Sequence, residues 1–300
     1  MPGEVNGMDT IKNIAVIGGD ARYLEMIKVL TNTNDINIEL VGFDQLNQGF
    51  TGAKQVELDE LQLSQLDAVI LPIPGTDGEG FIDPVFSDKK IQITVDLLKK
   101  LPSHCLVFSG IANDYLTACV NKAGLNLIPL MNRNDVAIYN SIPTVEGTLM
   151  IAIQNTDFTI HSSKVIVLGL GRVGMSTASK FSALGADVFV GSRSKEDVAR
   201  AFEMGLTGFH MDELSAYTSE CDILINTVPA LVVTEEAIKP MKSNSLIIDL
   251  ASNPGGTDFE YAKQRGIKAL HSLGLPGMVA PKTAGEILGI VIKQILSEQL

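Results

Sequence analysis

The sequence predicts an α/β protein built from two doubly wound parallel sheets. Short apolar runs that end in Gly, Pro or Asp alternate with segments of helical period, which is typical of parallel strands joined by crossover helices. This pattern occurs twice within 300 residues, a length that allows two packed cores. We therefore expect two domains of similar topology, which together form a weak internal repeat.

The apolar runs predicted as strands fall into two sets, one in each half of the chain. Because they are nearly continuous rather than alternating, they fit strands that are buried on both faces. The first set is Asn13–Ile17, Ile38–Phe43, Ala68–Pro72, Cys105–Ser109 and Asn126–Leu130. The second set is Lys164–Leu168, Asp187–Val190, Asp222–Asn226, Ser245–Leu250 and Lys268–Leu270.

Two further helices define the predicted domain boundaries. One is predicted over residues 143–155 as a bridge between the domains, because Pro143 suits a first helical turn and apolar residues recur at helical spacing after it. The other has an apolar face that we expect to pack back on the first domain. The predicted division is residues 1–142 for the first domain, 143–280 for the second, and 281–300 for the returning helix.

Composition argues against several classes of function. The chain has 23 Lys+Arg against 35 Asp+Glu, a formal net charge of -12, which leaves no broad basic surface for nucleic acid or anionic membranes. The N-terminal segment lacks the features of a signal peptide, and no apolar run approaches the roughly 18 residues of a membrane span. Neither the Cys nor the His residues show metal-binding spacing. We therefore expect a cytoplasmic protein without a metal site.

A glycine motif in the second half predicts a dinucleotide site. Gly169, Gly171 and Gly174 give the spacing G-x-G-x-x-G directly after a predicted strand and at the start of a helix. The first glycine permits a tight turn, the second lets a pyrophosphate approach the backbone, and the third lets the helix pack on the strand. A glycine-rich turn without a ligand is the alternative. The residues predicted to form this Rossmann turn are Gly169, Leu170, Gly171, Arg172, Val173 and Gly174.

The residues after the next strand favour NADP over NAD. Ser192, Arg193 and Ser194 stand where an acidic residue would bind the free 2′-hydroxyl of NAD. Arg193 can make a charge-assisted contact with the 2′-phosphate of NADP, and the two serines can donate hydrogen bonds to it. The alternative is a polar loop that caps the helix beginning near Glu196.

The first half contains a poorer version of the same turn, in the segment IAVIGGDARYLE. It lacks the third glycine, Tyr23 and Leu24 crowd the helix start, and Asp20 places negative charge where a pyrophosphate would lie. The pattern then favours a turn role for Asp44, at the end of the second strand, with a ribose ligand as the alternative. We therefore predict that the first domain, of flavodoxin-like or Rossmann-like topology, binds the substrate.

Loops at the ends of later strands are predicted to complete the cofactor site. The segment INTVPA is typical of a loop that lies against a nicotinamide ribose, although a structural turn is an equal alternative. In the segment DLASNPGG, two glycines permit close backbone approach. The additional cofactor-binding candidates are Asn226, Thr227, Val228, Pro229 and Ala251.

Charged residues near the cleft expected between the domains are candidates for handling an anionic substrate. Arg22 begins the first helix and Lys282 begins the last, and Asp20 beside Arg22 is included with them. Glu146, with Thr144 beside it, is the candidate general base at the start of the bridging helix. The alternatives are a solvent-facing arginine for Arg22 and a capping or solvated carboxylate for Glu146.

Several segments together resemble the family of dipicolinate synthase A subunits from spore-forming bacteria. The resemblance runs from about residue 12 to the C-terminus. The domain plan is also similar to those of alanine dehydrogenases and 2-hydroxyacid dehydrogenases, at Asp249–Gly256 and Pro276–Gly277. The segments are IAVIGGDAR, VGFDQLNQGFTGA, DVAIYNSIPTVEGTLMIAIQNTDFTIH, VLGLGRVGM, DLASNPGGTDF and GLPGMVAPKTAGEIL.

The resemblance implies an NADP-dependent oxidoreductase that forms dipicolinate from dihydrodipicolinate or 4-hydroxy-tetrahydrodipicolinate, compounds of the lysine pathway. It also implies action in the mother cell during sporulation, with the flavoprotein-like B subunit of dipicolinate synthase as partner; a homo-oligomer is also compatible with it. No motif of the family fixes the catalytic base. Two other functions stay open: an NADP-dependent 2-hydroxyacid or amino-acid dehydrogenase, and a non-catalytic NADP-binding regulatory subunit.

Overall fold

The computed structural model describes residues 12–32, 35–46 and 53–299 and divides the chain into two compact units. Each unit contains a six-stranded sheet whose strands are all parallel. The predicted fold class of two doubly wound parallel sheets is therefore confirmed. The N-terminal segment used for the signal-peptide prediction, and part of the family segment VGFDQLNQGFTGA, lie outside the described residues. Unit 1 is Met1–Val136 with Pro281–Leu300, and unit 2 is Ala137–Ala280.

The sheet of unit 1 has apolar layers on both faces. Its elements are β1 (Lys12–Ile17), α1 (Ala21–Thr31), β2 (Ile36–Val41), β3 (Ala53–Gln55), β4 (Ala68–Ile70), β5 (Phe81–Ile82), β6 (Ile91–Gln92), α2 (Val95–Leu98), β7 (Leu106–Ser109), α3 (Asp114–Ala123) and β8 (Asn126–Pro129). Ile14 and Val16 face a core that contains α1, whereas Ala15 and Ile17 face one that contains α3. The strand order is β3-β2-β1-β4-β7-β8, so the order reverses between β1 and β4.

The segment between β4 and α2 folds over the carboxyl end of this sheet. A Cβ on Gly18 would lie 2.9 Å from Cγ2 of Ile82 and 3.3 Å from Cγ of Pro72. The backbone N–H of Val85 donates to the carbonyl of Gly19 at 3.3 Å. A dinucleotide would lie against this turn in a doubly wound sheet. The segment therefore fills the space that a pyrophosphate would need in unit 1.

Asp44, the acidic residue after β2, contacts the same covering segment. A hydrogen bond with Ser87 and the nearby charge of Lys89 hold the pKa of Asp44 below its ordinary value, against a smaller opposing effect of burial. The Nζ atom of Lys89 lies 4.0 Å from Oδ2 of Asp44. Asp44 thus has protein partners where a ribose-binding acid would have a ligand.

Unit 2 repeats the same strand order. Its elements are α4 (Asn134–Asn155), β9 (Lys164–Leu168), α5 (Arg172–Ala183), β10 (Asp187–Ser192), α6 (Lys195–Glu203), β11 (Thr207–His210), α7 (Leu214–Thr218), β12 (Ile223–Asn226), α8 (Glu235–Ile238), β13 (Leu246–Asp249), α9 (Phe259–Gln264), β14 (Lys268–His271) and α10 (Leu275–Val279). The order β11-β10-β9-β12-β13-β14 reverses between β9 and β12. Every predicted strand is confirmed, and the structure adds β3, β5, β6 and β11.

The predicted start of the bridging helix is wrong. Helix α4 begins at Asn134 rather than at residue 143, and Pro143 lies inside it. An interior proline lacks the N–H that would bond one turn back. The hydroxyl of the next residue, Thr144, donates to the carbonyl of Asn140 at 2.7 Å within the same helix. The units accordingly divide after Val136 rather than after residue 142.

Helix α4 is long and apolar enough to cross a membrane by length and composition alone, with a mean hydropathy of 1.3. The sequence showed no long apolar run because polar residues such as Asn140 and Glu146 interrupt it. Core helices pass the same test, and Val145 and Ala152 of α4 are buried in the protein. Ile138, Ile142 and Ile153 of α4 are exposed, so the helix is only partly buried.

The C-terminal helix α11 (Pro281–Gln299) packs along α1 in unit 1. A Cβ on Gly285 would overlap the carbonyl of Arg22, and a Cβ on Gly289 would lie 2.7 Å from Cβ of Val29. The later residue of α11 thus meets the later residue of α1, so the two helices are parallel. Their N-termini therefore lie side by side.

Candidate cofactor site

The turn between β9 and α5 uses its three glycines for three different reasons. Gly169 has a φ of +84°, a conformation that favours glycine. A Cβ on Gly174 would overlap the carbonyl oxygen of Gly169, so only glycine permits this close approach of helix and strand. Gly171 has an ordinary φ of -74°, and a Cβ there would meet no heavy atom within 4 Å. The space beside Gly171 is therefore open.

The start of α5 is suited to an anion. Gly171 is the N-cap and offers no side chain to the N–H groups of the first turn, and no acidic residue lies in that turn. Unpaired N–H groups and the helix dipole together favour a negatively charged ligand at such an end. The open space beside Gly171 and the polarity of the helix end both fit a pyrophosphate.

The two serine hydroxyls in the loop after β10 form hydrogen bonds with carboxylates of the protein itself. The Ser192 hydroxyl donates to Oδ2 of Asp197 at 2.7 Å, and the Ser194 hydroxyl donates to Oε2 of Glu196 at 2.7 Å. Ser194 also accepts from the N–H of Asp197 and caps α6, which is the alternative role considered for this loop. Arg193 is exposed and has no ion pair within the described residues. Arg193 is therefore the side chain of this loop that remains available to an anion.

The loop after β12 lies against the glycine turn. The Thr227 hydroxyl donates to the carbonyl of Leu168 at 2.7 Å, and a Cβ on Gly169 would lie 2.8 Å from that hydroxyl. The Asn226 side chain donates through Nδ2 to the carbonyl of Val228 at 3.1 Å and accepts from its N–H at 3.0 Å. The structure thus brings the Asn226–Pro229 candidates next to the Gly169–Gly174 turn.

Sequence reasoning assigned no role to Asp249, the last residue of β13. Its carboxylate is completely buried. Oδ1 accepts from Asn226 Nδ2 at 3.0 Å and from the N–H of Ala251 at 3.0 Å. Oδ2 accepts from the N–H of Gly256 at 2.8 Å and from the Thr257 hydroxyl at 2.7 Å. The signal in the sequence was an acid at the carboxyl end of an apolar strand, followed by a loop with paired glycines.

In unit 1, Arg22 and Asp20 bind each other. Nε of Arg22 lies 3.0 and 3.1 Å from the two carboxylate oxygens of Asp20, and Nη2 completes a bidentate pair. Burial raises the pKa of Asp20, but the hydrogen bonds and charge of Arg22 outweigh it and lower the pKa below its ordinary value. The Arg22 side chain is 15% exposed, so the solvent-facing alternative does not hold.

Lys282 lies in the first turn of α11, three residues before Gly285, which packs against the backbone of Arg22. Its side chain is 73% exposed, and its Nζ lies 4.0 Å from Oε1 of Glu286. An ion pair of this exposure and length stabilises little. Lys282 and Arg22 thus stand at adjacent N-termini of two parallel helices.

The catalytic candidates Thr144 and Glu146 lie in the middle of α4, not at its start. The Thr144 hydroxyl is donated to its own helix. Glu146 is exposed, and no hydrogen bond or ion pair involves its side chain within the described residues. A capping role is excluded by position, and the exposed side chain fits the alternative of a solvated carboxylate.

A cavity of about 820 Å³ in unit 1 is lined by the segment that covers the sheet. Its charged residues are more often acidic than basic, which makes it unsuited to a dianion. They are Asp77, Glu79, Asp83, Asp88, Lys89 and Lys90.

The cysteines offer no reactive thiol. Cys105, Cys119 and Cys221 are all buried. Burial raises the pKa of Cys105 and of Cys221 to about 12, so both stay protonated near neutral pH. Within the described residues, no group of three His, Cys, Asp or Glu side chains is arranged to hold a metal ion.

Comparison with known proteins yields a family match for each half. Residues 13–131 match the family model for the N-terminal domain of the dipicolinate synthase A subunit. Residues 138–292 match the alanine dehydrogenase/PNT C-terminal domain. Unit 2 is therefore a dehydrogenase-type domain, which implies a nicotinamide cofactor and an oxidoreductase role.

Relatives of known structure agree over nearly the whole chain. The crystal structure of the dipicolinate synthase A subunit from Bacillus halodurans has a TM-score of 0.93 and 53% identity, covering 97% of this chain and 99% of that one. The transhydrogenase from Sinorhizobium meliloti, with a TM-score of 0.66 and 14% identity over 95% of this chain and 94% of that one, shares the fold alone.

One curated relative is similar to this chain over nearly the whole length of both proteins. The dipicolinate synthase A subunit of Bacillus subtilis is 54% identical over 285 residues, which cover 95% of this chain and 96% of that protein. Identity of this level over this length goes far beyond a shared fold. The chain belongs to the family of dipicolinate synthase A subunits.

Proposed function

We propose that this chain is the NADP-dependent dehydrogenase that forms dipicolinate. The substrate is dihydrodipicolinate or its hydrated precursor, 4-hydroxy-tetrahydrodipicolinate, and the protein acts in the cytoplasm of the mother cell during sporulation. The observation that carries the proposal is the open space beside Gly171, at a helix end suited to an anion, in a chain with this family membership.

In the proposed reaction, the side chains of the protein have little covalent chemistry to perform. Dihydrodipicolinate loses one hydride and one proton, and its ring becomes aromatic; the hydrated precursor first loses water. The bound NADP⁺ supplies the hydride acceptor at C4 of its nicotinamide. The residues of this chain must hold the substrate with one C–H aligned on that carbon. Formation of the aromatic ring makes the equilibrium favourable, and the proposed contribution of the protein to the rate is this orientation.

The proposed cofactor contacts follow the carboxyl edge of the sheet in unit 2. The N-terminus of α5 binds the pyrophosphate, and Arg193 binds the 2′-phosphate. The loop Asn226–Pro229 and Ala251 border the nicotinamide half. Ser192 and Ser194 hold the loop that presents Arg193, because their hydroxyls already donate to Asp197 and Glu196.

The proposed substrate contacts lie at the paired N-termini of α1 and α11. A protein of net charge -12 needs a local source of positive potential to bind a dicarboxylate. Arg22, Lys282 and the N-terminus of α11 supply it, because the carboxylate of Asp20 already caps the N-terminus of α1. Asp20 is ionised and would repel the substrate. We therefore propose that Asp20 orients the Arg22 side chain and does not bind the substrate itself.

Changing Arg22 to alanine is expected to raise the KM for the dicarboxylate about tenfold or more, the scale of a lost charged hydrogen bond. The Kd for NADP stays unchanged, because Arg22 belongs to unit 1. Initial rates at saturating NADP⁺ measure the first quantity, and calorimetric titration measures the second. The control is Lys28→Ala, which removes an exposed cation from the same helix. An unaltered KM would leave Arg22 with a purely structural role.

The reaction is tested directly with the purified chain, NADP⁺ and freshly generated dihydrodipicolinate under anaerobic conditions. We expect dipicolinate and reduced cofactor to form in equal amounts, followed by chromatography and by nicotinamide absorbance. Oxygen is excluded because air also aromatises the substrate. Dipicolinate that forms equally fast without NADP⁺ refutes the proposal. Turnover of 2-hydroxyacids or amino acids instead would identify the chain as a dehydrogenase of that class.

The names of the relatives describe one component of a larger enzyme, so we propose that the flavoprotein-like B subunit of dipicolinate synthase joins this chain in the active assembly. The same assay is run with and without that partner. NADP binding without turnover under both conditions would point to a regulatory role. Turnover only in the complex supports the dehydrogenase assignment and places part of the chemistry in the assembly.

A further inference from the structure

The carboxylate of Asp249 links two loops through side chains, in addition to the backbone hydrogen bonds from Val232 and Val233 to the carbonyl of Gly256. Burying a carboxylate is costly unless hydrogen bonds replace its hydration. Asp249 has no cationic partner within the described residues and relies on four donors. One donor is the side chain of Asn226, the last residue of β12 before its loop. The other three donors lie in the loop after β13. The cost of burial is therefore offset only while both loops keep their positions.

Asp249 also fixes the orientation of the Asn226 side chain. A carboxylate only accepts hydrogen bonds, so the amide nitrogen of Asn226 must face Asp249. The amide oxygen then faces the N–H of Val228, and it accepts from that group at 3.0 Å. Through Asn226, the buried carboxylate sets the course of the backbone at Val228.

The two loops are also packed against each other without spare room. A Cβ on Gly256 would lie 2.5 Å from Nδ2 of Asn226 and 2.6 Å from the carbonyl oxygen of Val228. Neither loop can shift without moving the other, because interiors packed at this density transmit displacements.

His271 braces the same loops from the neighbouring strand. It is paired with Asp249 in the register of β13 and β14. Its Nε2 lies 2.8 Å from the carbonyl oxygen of Ala251, and because a carbonyl only accepts, Nε2 carries the proton. Gly255 fits between the two, since a Cβ there would lie 3.2 Å from Asp249 and 3.3 Å from His271.

We propose that Asp249 is a positioning residue for the nicotinamide half of the cofactor. It acts through Asn226 and Ala251, and it holds the two loops as one rigid surface at the carboxyl edge of the sheet. This inference rests on the proposed function, because it assumes that these loops border the nicotinamide. The adenosine half, bound at Arg193 and the glycine turn, does not depend on Asp249.

The variant Asp249→Asn tests this separation of the two halves. The amide nitrogen of the new asparagine cannot accept the hydrogen bonds that one carboxylate oxygen of Asp249 accepts. The two loops therefore lose their side-chain link, while the backbone bonds from Val232 and Val233 to Gly256 remain. We expect the Kd for NADP⁺ and the rate of hydride transfer to worsen by roughly tenfold to a hundredfold. The Kd for 2′,5′-ADP, which contains only the adenosine half, stays within about twofold of the wild-type value. Calorimetry measures both Kd values, and a merely destabilised protein would lose both ligands.

Two further variants keep the test decisive. Thr257→Val removes one of the four donors and is expected to change NADP⁺ binding in the same direction by a smaller factor, so it decides the question if Asp249→Asn does not fold. Asp258→Asn is the matched control, because it makes the same chemical change beside the network at the N-cap of α9, where asparagine also caps well.

The outcomes separate this inference from the proposed function. If Asp249→Asn and Thr257→Val both keep wild-type NADP⁺ binding and turnover, the positioning role of Asp249 is refuted. The proposed function is not affected by that result. Equal losses for NADP⁺ and 2′,5′-ADP also overturn the positioning role, because they indicate general destabilisation. A wild-type protein that binds no NADP⁺ refutes the proposed function itself.

Discussion

The Gly171→Leu variant is expected to fold normally and to bind NADP at least about a hundredfold more weakly, the combined loss of two or more charge-assisted hydrogen bonds. A side chain at Gly171 enters the open space that the pyrophosphate would occupy, yet its Cβ meets no protein atom within 4 Å. The backbone there is extended, with φ of -74° and ψ of -162°, so leucine adopts it without strain. The variant therefore separates loss of ligand from loss of fold.

Calorimetric titration with NADP⁺ and a thermal unfolding curve measure the two effects. The matched control is Gly78→Leu, because a Cβ on Gly78 would also meet no heavy atom within 4 Å and this glycine lies in unit 1. That control should bind NADP as the wild type does. A Gly171→Leu variant that keeps the wild-type Kd would show that no pyrophosphate lies on this turn, and the dehydrogenase proposal would lose its main support.

The strands could be predicted because their burial on both faces makes each a short apolar run. The added strands escaped prediction for physical reasons. β3, with sequence AKQ, and β11, with sequence TGFH, are at the sheet edges and carry few apolar side chains. β5 and β6 have two residues each and pair only with each other, so no periodicity exists to detect. Their effect on the turn at Gly18 is a tertiary contact that a local pattern does not contain.

The start of α4 was misjudged because proline was taken as a start signal. The physical preference of proline for the first turn is real, but a helix with enough packing tolerates it inside. Val136 and Val145 of α4, on either side of Pro143, are both buried. Packing on both sides of the proline outweighs the missing hydrogen bond, and this balance depends on neighbours distant in the sequence.

The glycine turn was predictable to the residue, because steric exclusion acts on backbone positions at fixed spacing. The roles of hydroxyl and carboxyl groups were less accessible. Ser192 was expected to donate to a phosphate, and the structure shows it donating to Asp197. The Asp249 network depends on the register that sets Asn226 and His271 beside it on neighbouring strands. Such a row of side chains forms only when three strands far apart in sequence are aligned.

The Arg193→Ala variant is expected to bind NADP more weakly by about 1.5–3 kcal/mol, roughly tenfold to a hundredfold, and to bind NAD as before. Arg193 is exposed, and its side chain makes no ion pair or hydrogen bond within the described residues. The serine hydroxyls beside it already donate to Asp197 and Glu196 and cannot replace it. Titration of each variant with both cofactors at two salt concentrations measures the effect, and the difference should shrink at high salt.

The control for Arg193 is Arg200→Ala, which removes an exposed cation from the adjacent helix, where it is paired with Glu203. This change lowers the net positive charge near the loop by the same amount, so it corrects for long-range attraction of the cofactor. If both variants weaken NADP equally, the effect is general electrostatics. If Arg193→Ala weakens NADP and NAD equally, Arg193 contacts a part that the two cofactors share. Only a loss confined to Arg193 and to NADP identifies a contact with the 2′-phosphate, because that group alone distinguishes the two cofactors.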